Sequence, residues 1–195
     1  MPAHYPLPDD VAALIFDCDG TLVDTPPLYV RAWAAGLRPS GHDMPEPWYR
    51  ARAGLSEHRL MDAFEAEHRL TLNREDVVRR MREAFLAALP DLREIATIAA
   101  IARQVRGRLP LAVASGGSRA IVTATLRATA LLDLFDTVVT LDDVPHPKPN
   151  PALFLEAANR LAVPPARCLV FEDSPPGLEA AHRAGMRAID VTSLP

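Results

Sequence analysis

Residues 11–25 read Val-Ala-Ala-Leu-Ile-Phe-Asp17-Cys-Asp19-Gly-Thr-Leu-Val-Asp-Thr. An apolar stretch of strand length ends in two carboxylates one residue apart, followed by a Gly-Thr turn. Side chains at i and i+2 of an extended segment point the same way, so Asp17 and Asp19 share a face unless the turn at Gly20 rotates the second away. Two carboxylates that close repel each other unless a cation, a proton or a division of labour separates them. The pair therefore offers a nucleophile, an acid/base or a metal ligand. For a bare Asp-x-Asp the ordinary alternative is a strand end with an Asx-type turn.

More polar residues follow further apolar runs. Ser115-Gly116-Gly117 comes after Leu109–Ala114, His146-Pro-Lys148-Pro lies a few residues beyond Thr137–Leu141, and Glu172-Asp173 follows Cys168–Phe171. Asp17, Asp19 and Asp173, with Glu172 beside them, form an all-oxygen donor set suited to Mg²⁺; no His/Cys cluster competes. A Ser-Gly-Gly turn entering a helix near Ser118 presents amides and a hydroxyl to an anion such as phosphate, although the same residues also make ordinary caps and turns. Lys148 is the only lysine among 21 basic Lys and Arg residues. In a chain so biased to arginine, a lone ammonium between two prolines points to a tight site, because the two cations are not interchangeable there.

These residues need a frame that brings them to one rim. From residue 90 on, helix-like segments (91–106, 118–131, 150–162 and 178–184) alternate with the three runs above and a last one at 187–191. With the first run, this predicts a doubly wound α/β fold around a parallel five-stranded sheet, whose ligands gather at the carboxyl ends of the strands. Residues 26–89 break the rhythm with helical spacing and no convincing strand. The expected division is a catalytic core of residues 1–25 and 90–195 with an all-helical cap of residues 26–89.

Bulk properties bound the function. The 195 residues are 49% hydrophobic and 24% charged, with net charge −4. That suffices for a real core and offers no basic patch for nucleic acid or an anionic membrane. No run of 18 apolar residues or signal-peptide pattern occurs, so the expected compartment is the cytoplasm and the expected state a monomer. Cys18 and Cys168 both sit in apolar runs and are expected as buried thiols.

Taken together, four motifs resemble the haloacid dehalogenase superfamily along nearly the whole chain: Asp17-Cys-Asp19-Gly-Thr-Leu-Val-Asp-Thr, Ser115-Gly-Gly-Ser, Lys148-Pro-Asn-Pro and Phe171-Glu172-Asp173-Ser-Pro-Pro-Gly-Leu-Glu-Ala-Ala-His-Arg-Ala-Gly-Met. Arg31-Ala-Trp33 and Gly54-Leu-Ser56 are similar to its β-phosphoglucomutase-like, sugar-phosphate phosphatase branch. The resemblance implies a Mg²⁺-dependent phosphatase acting on a small phosphorylated metabolite, such as a fructose 1-phosphate-like sugar. It implies Asp17 as the nucleophile that becomes an aspartyl-phosphate and Asp19 as acid and base. Mg²⁺ would be held by Asp17, the Asp19 backbone carbonyl and Asp173, with Glu172 behind or through water. Ser115, Gly116 and Lys148 would hold phosphoryl oxygens.

The rival enzyme is a phosphosugar mutase of the same branch. Mutases carry a cap histidine where this chain has Tyr29, and Ala53 and Glu57 stand where mutase basic residues are expected. A dehalogenase is disfavoured by Asp19 and a phosphonatase by the absence of lysine from residues 26–89. A non-enzymatic, receiver-like phosphoacceptor fits poorly with an acceptor after the first strand and a general acid two residues on. Leaving-group contacts are sought in the cap at Tyr29, Trp33, Arg52, His58 and Arg59; core packing for Trp33 and solvation for the arginines are the ordinary alternatives.

Overall fold

The computed structural model describes residues 5–194. Its elements, in chain order, are β1 (Ala13–Phe16), α1 (Pro26–Leu37), α2 (Glu46–Arg50), α3 (Glu57–His68), α4 (Arg74–Ala87), α5 (Ala96–Val105), β2 (Leu111–Ala114), α6 (Arg119–Ala128), β3 (Thr137–Val139), α7 (Ala152–Arg160), β4 (Cys168–Glu172), α8 (Pro175–Arg183) and β5 (Arg187–Asp190). All strand pairs are parallel in a five-stranded sheet of order β3-β2-β1-β4-β5.

The central strands are apolar throughout because both faces are covered. Leu14, Phe16, Leu111, Val113, Leu169 and Phe171 project to the side of α5 and α6, while Ala13, Ile15, Ala112, Ala114, Cys168 and Val170 meet α7 and α8. Phe16 and Phe171 are register partners whose rings stack at 4.8 Å and 9°. The two thiols are buried and free. Among the described residues, no helix is long and apolar enough to cross a membrane.

Four α-helices, and no strand, lie between residues 26 and 87. The chain leaves and re-enters the sheet layer through segments that bond to each other: Asp24 N–H donates to the Arg93 carbonyl at 3.0 Å, and Ile95 N–H to Leu22 at 2.8 Å.

Two element limits differ from the sequence reading. The helix expected over 91–106 starts at Ala96, because residues 89–91 form a separate 3-10 turn and Glu94 makes a bridge with Val23. The loop expected over 172–177 is shorter. Glu172 ends β4, Ser174 caps α8 by accepting from Gly177 N–H, and Pro175 opens the helix, where its missing N–H costs nothing.

Candidate active site

The sheet ladder continues past the strand ends into the chemistry. Asp17 N–H donates to the Phe171 carbonyl at 2.9 Å and Ser115 N–H to Val139 at 3.0 Å, so both side chains are anchored by backbone at the carboxyl rim. Lys148 reaches the same point from the loop between β3 and α7. Its Nζ donates to Asp17 Oδ1 at 2.5 Å and Glu172 Oε2 at 2.7 Å, and it sits 4.9 Å from the centre of the Phe154 ring.

Glu172 is fastened on its other oxygen, which accepts from Ser174 Oγ (2.7 Å), Ser174 N–H (3.0 Å) and Asp173 N–H (3.2 Å). Gly177 explains part of this. It lies in the first turn of α8, and a Cβ there would fall 2.1 Å from Glu172 Cδ, so the helix start requires glycine for the carboxylate to lie against it. Gly20 serves Asp173 in the same way: its φ is +84°, and a Cβ would come within 2.4 Å of Asp173 Oδ2. Thr21 Oγ donates to Asp173 Oδ1 at 2.9 Å.

Asp17, Glu172 and Asp173 each bring a carboxylate oxygen within 4.8 Å of the others. Lys148 offsets only part of this charge. Burial first, and the charge of Glu172 second, lift the Asp17 carboxyl well above its ordinary range, and the same causes raise Asp173 to about 6. Buried carboxylates so raised and so close are a site short of positive charge, and the all-oxygen donors fit Mg²⁺. Burial lowers and the two carboxylates raise the Lys148 pKa; the carboxylates win, so it stays an ammonium.

Asp19 faces the same chamber with a different environment. Its Oδ2 accepts from Ser115 Oγ at 3.3 Å, while Oδ1 is buried with no hydrogen-bond partner among the described residues. Burial raises this carboxyl, against the Thr25 and Ser115 hydroxyls, which pull it down. The Ser115 hydroxyl also accepts from Gly117 N–H at 3.1 Å, and Gly116 N–H has no partner among the described residues. The α6 N-terminus is less free than its sequence suggests, since Arg119 N–H is taken by Asp142 at 2.8 Å. Beside the Gly116 amide, the buried Ser118 hydroxyl is also without a partner among the described residues, while the Ser115 hydroxyl gives its proton to Asp19.

Asp17, Asp19 and Lys148 line a chamber of about 50 Å³ whose far wall comes from the helices of residues 26–87. That is room for roughly three or four waters. Beside the chamber the helical side is seated closely on the core: a Cβ on Gly54 would meet Ser174 at 2.8 Å, and Arg59 Nη1 donates to the Lys148 carbonyl at 3.4 Å.

Of the leaving-group candidates, the structure places Tyr29 and Trp33 on the chamber. It does not bring Arg52, His58 or Arg59 there. Arg52 stacks on Trp48 and pairs with Glu67 at 2.8 Å; His58 is 77% exposed beside Asp62; Arg59 lies in an outer groove against Pro149. Sequence reasoning missed Tyr49, Glu57, Thr21 and Ser174. The last two stand inside quoted motifs, whereas Tyr49 carries no local signal.

Comparison with known proteins agrees with this geometry. The model of the haloacid dehalogenase-like hydrolases matches residues 11–185. Fructose-1-phosphate phosphatase YqaB of Escherichia coli K12 is 37% identical over 94% of this chain and 97% of its own length. A phosphorylated carbohydrates phosphatase of Thermotoga maritima is 34% identical over 91% of this chain and 83% of its own length. The crystal structure of CbbY from Rhodobacter sphaeroides in complex with phosphate superposes with a TM-score of 0.81 at 30% identity, covering 91% of this chain and 84% of that one. On these grounds the chain belongs to the haloacid dehalogenase-like hydrolase family.

Proposed function

We propose that this protein is a Mg²⁺-dependent phosphatase that hydrolyses a small phosphomonoester, a sugar or polyol phosphate of the fructose 1-phosphate kind, through an aspartyl-phosphate on Asp17. One observation carries the reading: Asp17, Asp19 and Lys148 line one partly open chamber, with the Asp19 carboxyl buried. The relatives named above, two of them phosphatases of phosphorylated sugars, support the substrate class.

Asp17, Asp173 and the Asp19 backbone carbonyl would hold Mg²⁺, with Glu172 fixing Lys148 beside them. When bound, the ion draws off negative charge from the phosphoryl oxygens. An Asp17 oxygen attacks phosphorus as the ester P–O bond breaks, and Asp19 gives its proton to the departing alkoxide. Water then attacks the aspartyl-phosphate, Asp19 takes the water's proton, and Asp17 is released with inorganic phosphate. Lys148, the Ser115 hydroxyl and the Gly116 amide orient the phosphoryl group and offset its charge, the dominant part of phosphoryl-transfer catalysis.

Residues 26–89 act as a cap in this reading. A chamber of about 50 Å³ is too small to admit a sugar phosphate as it stands, so substrate enters when the helices lift and reacts when they close. The experiment is phosphate release from a panel of sugar phosphates with and without Mg²⁺. Turnover that depends on the ion is expected; no release from any member with Mg²⁺ present overturns the proposal.

A further inference from the structure

The sheet side of the chamber carries its one cation, Lys148, and the helical side carries none. Tyr29 on α1, Tyr49 on α2 and Glu57 at the start of α3 line it together with Trp33. Tyr29 and Tyr49 are 8% and 7% exposed and Trp33 is 1% exposed. Neither tyrosine hydroxyl nor the Trp33 indole N–H has a hydrogen-bond partner among the described residues, and none of these atoms is sealed from solvent, so all three are free to bond what enters the chamber. Burial, and after it the negative charge of Asp19, pushes both phenols up, so they remain neutral donors.

The one charged side chain that this wall presents to the chamber is Glu57, ion-paired to Arg82, which does not line it. Glu57 is gripped by Arg82, whose Nε donates at 3.0 and 3.1 Å and Nη2 at 2.6 Å, so the guanidinium is spent on it. Among the described residues, Lys148 is the only basic side chain lining the chamber, and it is committed to Asp17 and Glu172. A second anion on the substrate, close to the ester, would thus face Asp19 and Glu57 with no free cation. Like charges brought together in an enclosed site are a strong means of rejection.

We infer that the helical wall selects phosphomonoesters of uncharged polyols, held through Tyr29, Tyr49 and Trp33, and rejects those carrying a carboxylate or second phosphate near the ester, with Glu57 as the residue that sets this preference. The inference rests on the phosphatase reading above and sharpens its substrate class.

The test compares kcat/KM with Mg²⁺ for glycerol 1-phosphate against 3-phosphoglycerate and 2-hydroxyethyl phosphate against 2-phosphoglycolate, with p-nitrophenyl phosphate as reference. In each pair a CH₂OH becomes a carboxylate. The neutral member should be favoured at least about tenfold. Glu57→Gln should narrow the ratio several-fold, because it removes the like charge and frees Arg82. Tyr49→Phe should cost glycerol 1-phosphate more than p-nitrophenyl phosphate, which brings no hydroxyl to hold. Equal kcat/KM within the pairs, or a ratio unmoved in folded Glu57→Gln protein, overturns the inference. The wild-type ratio needs no variant, so it decides the matter even if a variant does not fold. Turnover without discrimination defeats this inference alone; no turnover of any of the five esters with Mg²⁺ defeats the phosphatase reading as well.

Discussion

Lys148 Nζ lies 2.5 Å from Asp17 Oδ1 although 131 residues separate the two in the chain. The contact joins two loops at one rim of the sheet, and Glu172 completes it from the end of β4. In the proposed mechanism this buried ammonium has two roles: it holds three loop and strand ends together, and its charge opposes the burial and the Glu172 charge that raise the Asp17 carboxyl.

Replacing that ammonium therefore harms both roles. Lys148→Met leaves Asp17 and Glu172 buried without their cation, a loss of about 3–5 kcal/mol in stability. Lys148→Arg keeps the charge but places a broad planar fork where a point charge sits 4.9 Å above Phe154, so kcat should fall at least about 100-fold. Thermal melts and steady-state kinetics on the two variants check this.

Gly177 is the least obvious residue in the site. Gly177→Ala suits a helix but drives its Cβ to within 2.1 Å of Glu172 Cδ. Glu172 must move and release Lys148, so kcat should drop by at least about tenfold, while the helix itself gains up to about 1 kcal/mol from alanine. Unchanged kcat would show that Glu172 does not position Lys148.

Asp143 links α6, α7 and the turn after β3. Burial alone would raise its carboxyl, but hydrogen bonds from Arg160 and from the Thr140 N–H and hydroxyl, together with the Arg119 charge, hold it down at about 2. A carboxyl below its unfolded value of about 3.9 contributes stability above that pH and loses it as pH falls towards about 2. Asp143→Asn should lower stability by about 1–2 kcal/mol at neutral pH, with the deficit shrinking between about pH 4 and pH 2. Melting temperatures of both proteins across that range test it.

The core of the site was legible because its groups follow apolar strands, and a parallel sheet brings strand ends to a common rim. Asp17, Ser115 and Glu172 need only that rule to converge, and Lys148 reaches them through the loop after β3. The helical wall obeys no such rule. Helical spacing marks which side of α3 is apolar, but whether Glu57 or Arg59 reaches the chamber depends on how the helices dock, with Gly54 against Ser174 and Arg59 on the Lys148 carbonyl. Hence three basic residues that looked available in sequence, Arg52, His58 and Arg59, are engaged outside, and Tyr49 was invisible until the wall was built. The α8 start moved for a local reason, the Ser174 cap followed by Pro175.

The central claim is the division of labour between Asp17 and Asp19. Asp19→Asn keeps the nucleophile and the backbone carbonyl but removes the base that clears the intermediate. p-Nitrophenyl phosphate, whose leaving group needs little protonation, should then load the enzyme faster than water unloads it. Peptide mass mapping of Asp19→Asn protein, quenched during turnover with Mg²⁺, should find one phosphoryl group on Asp17, and none in the Asp17→Asn, Asp19→Asn double variant. A phosphoryl group on another residue, or steady-state turnover by Asp19→Asn equal to wild type, would contradict the account.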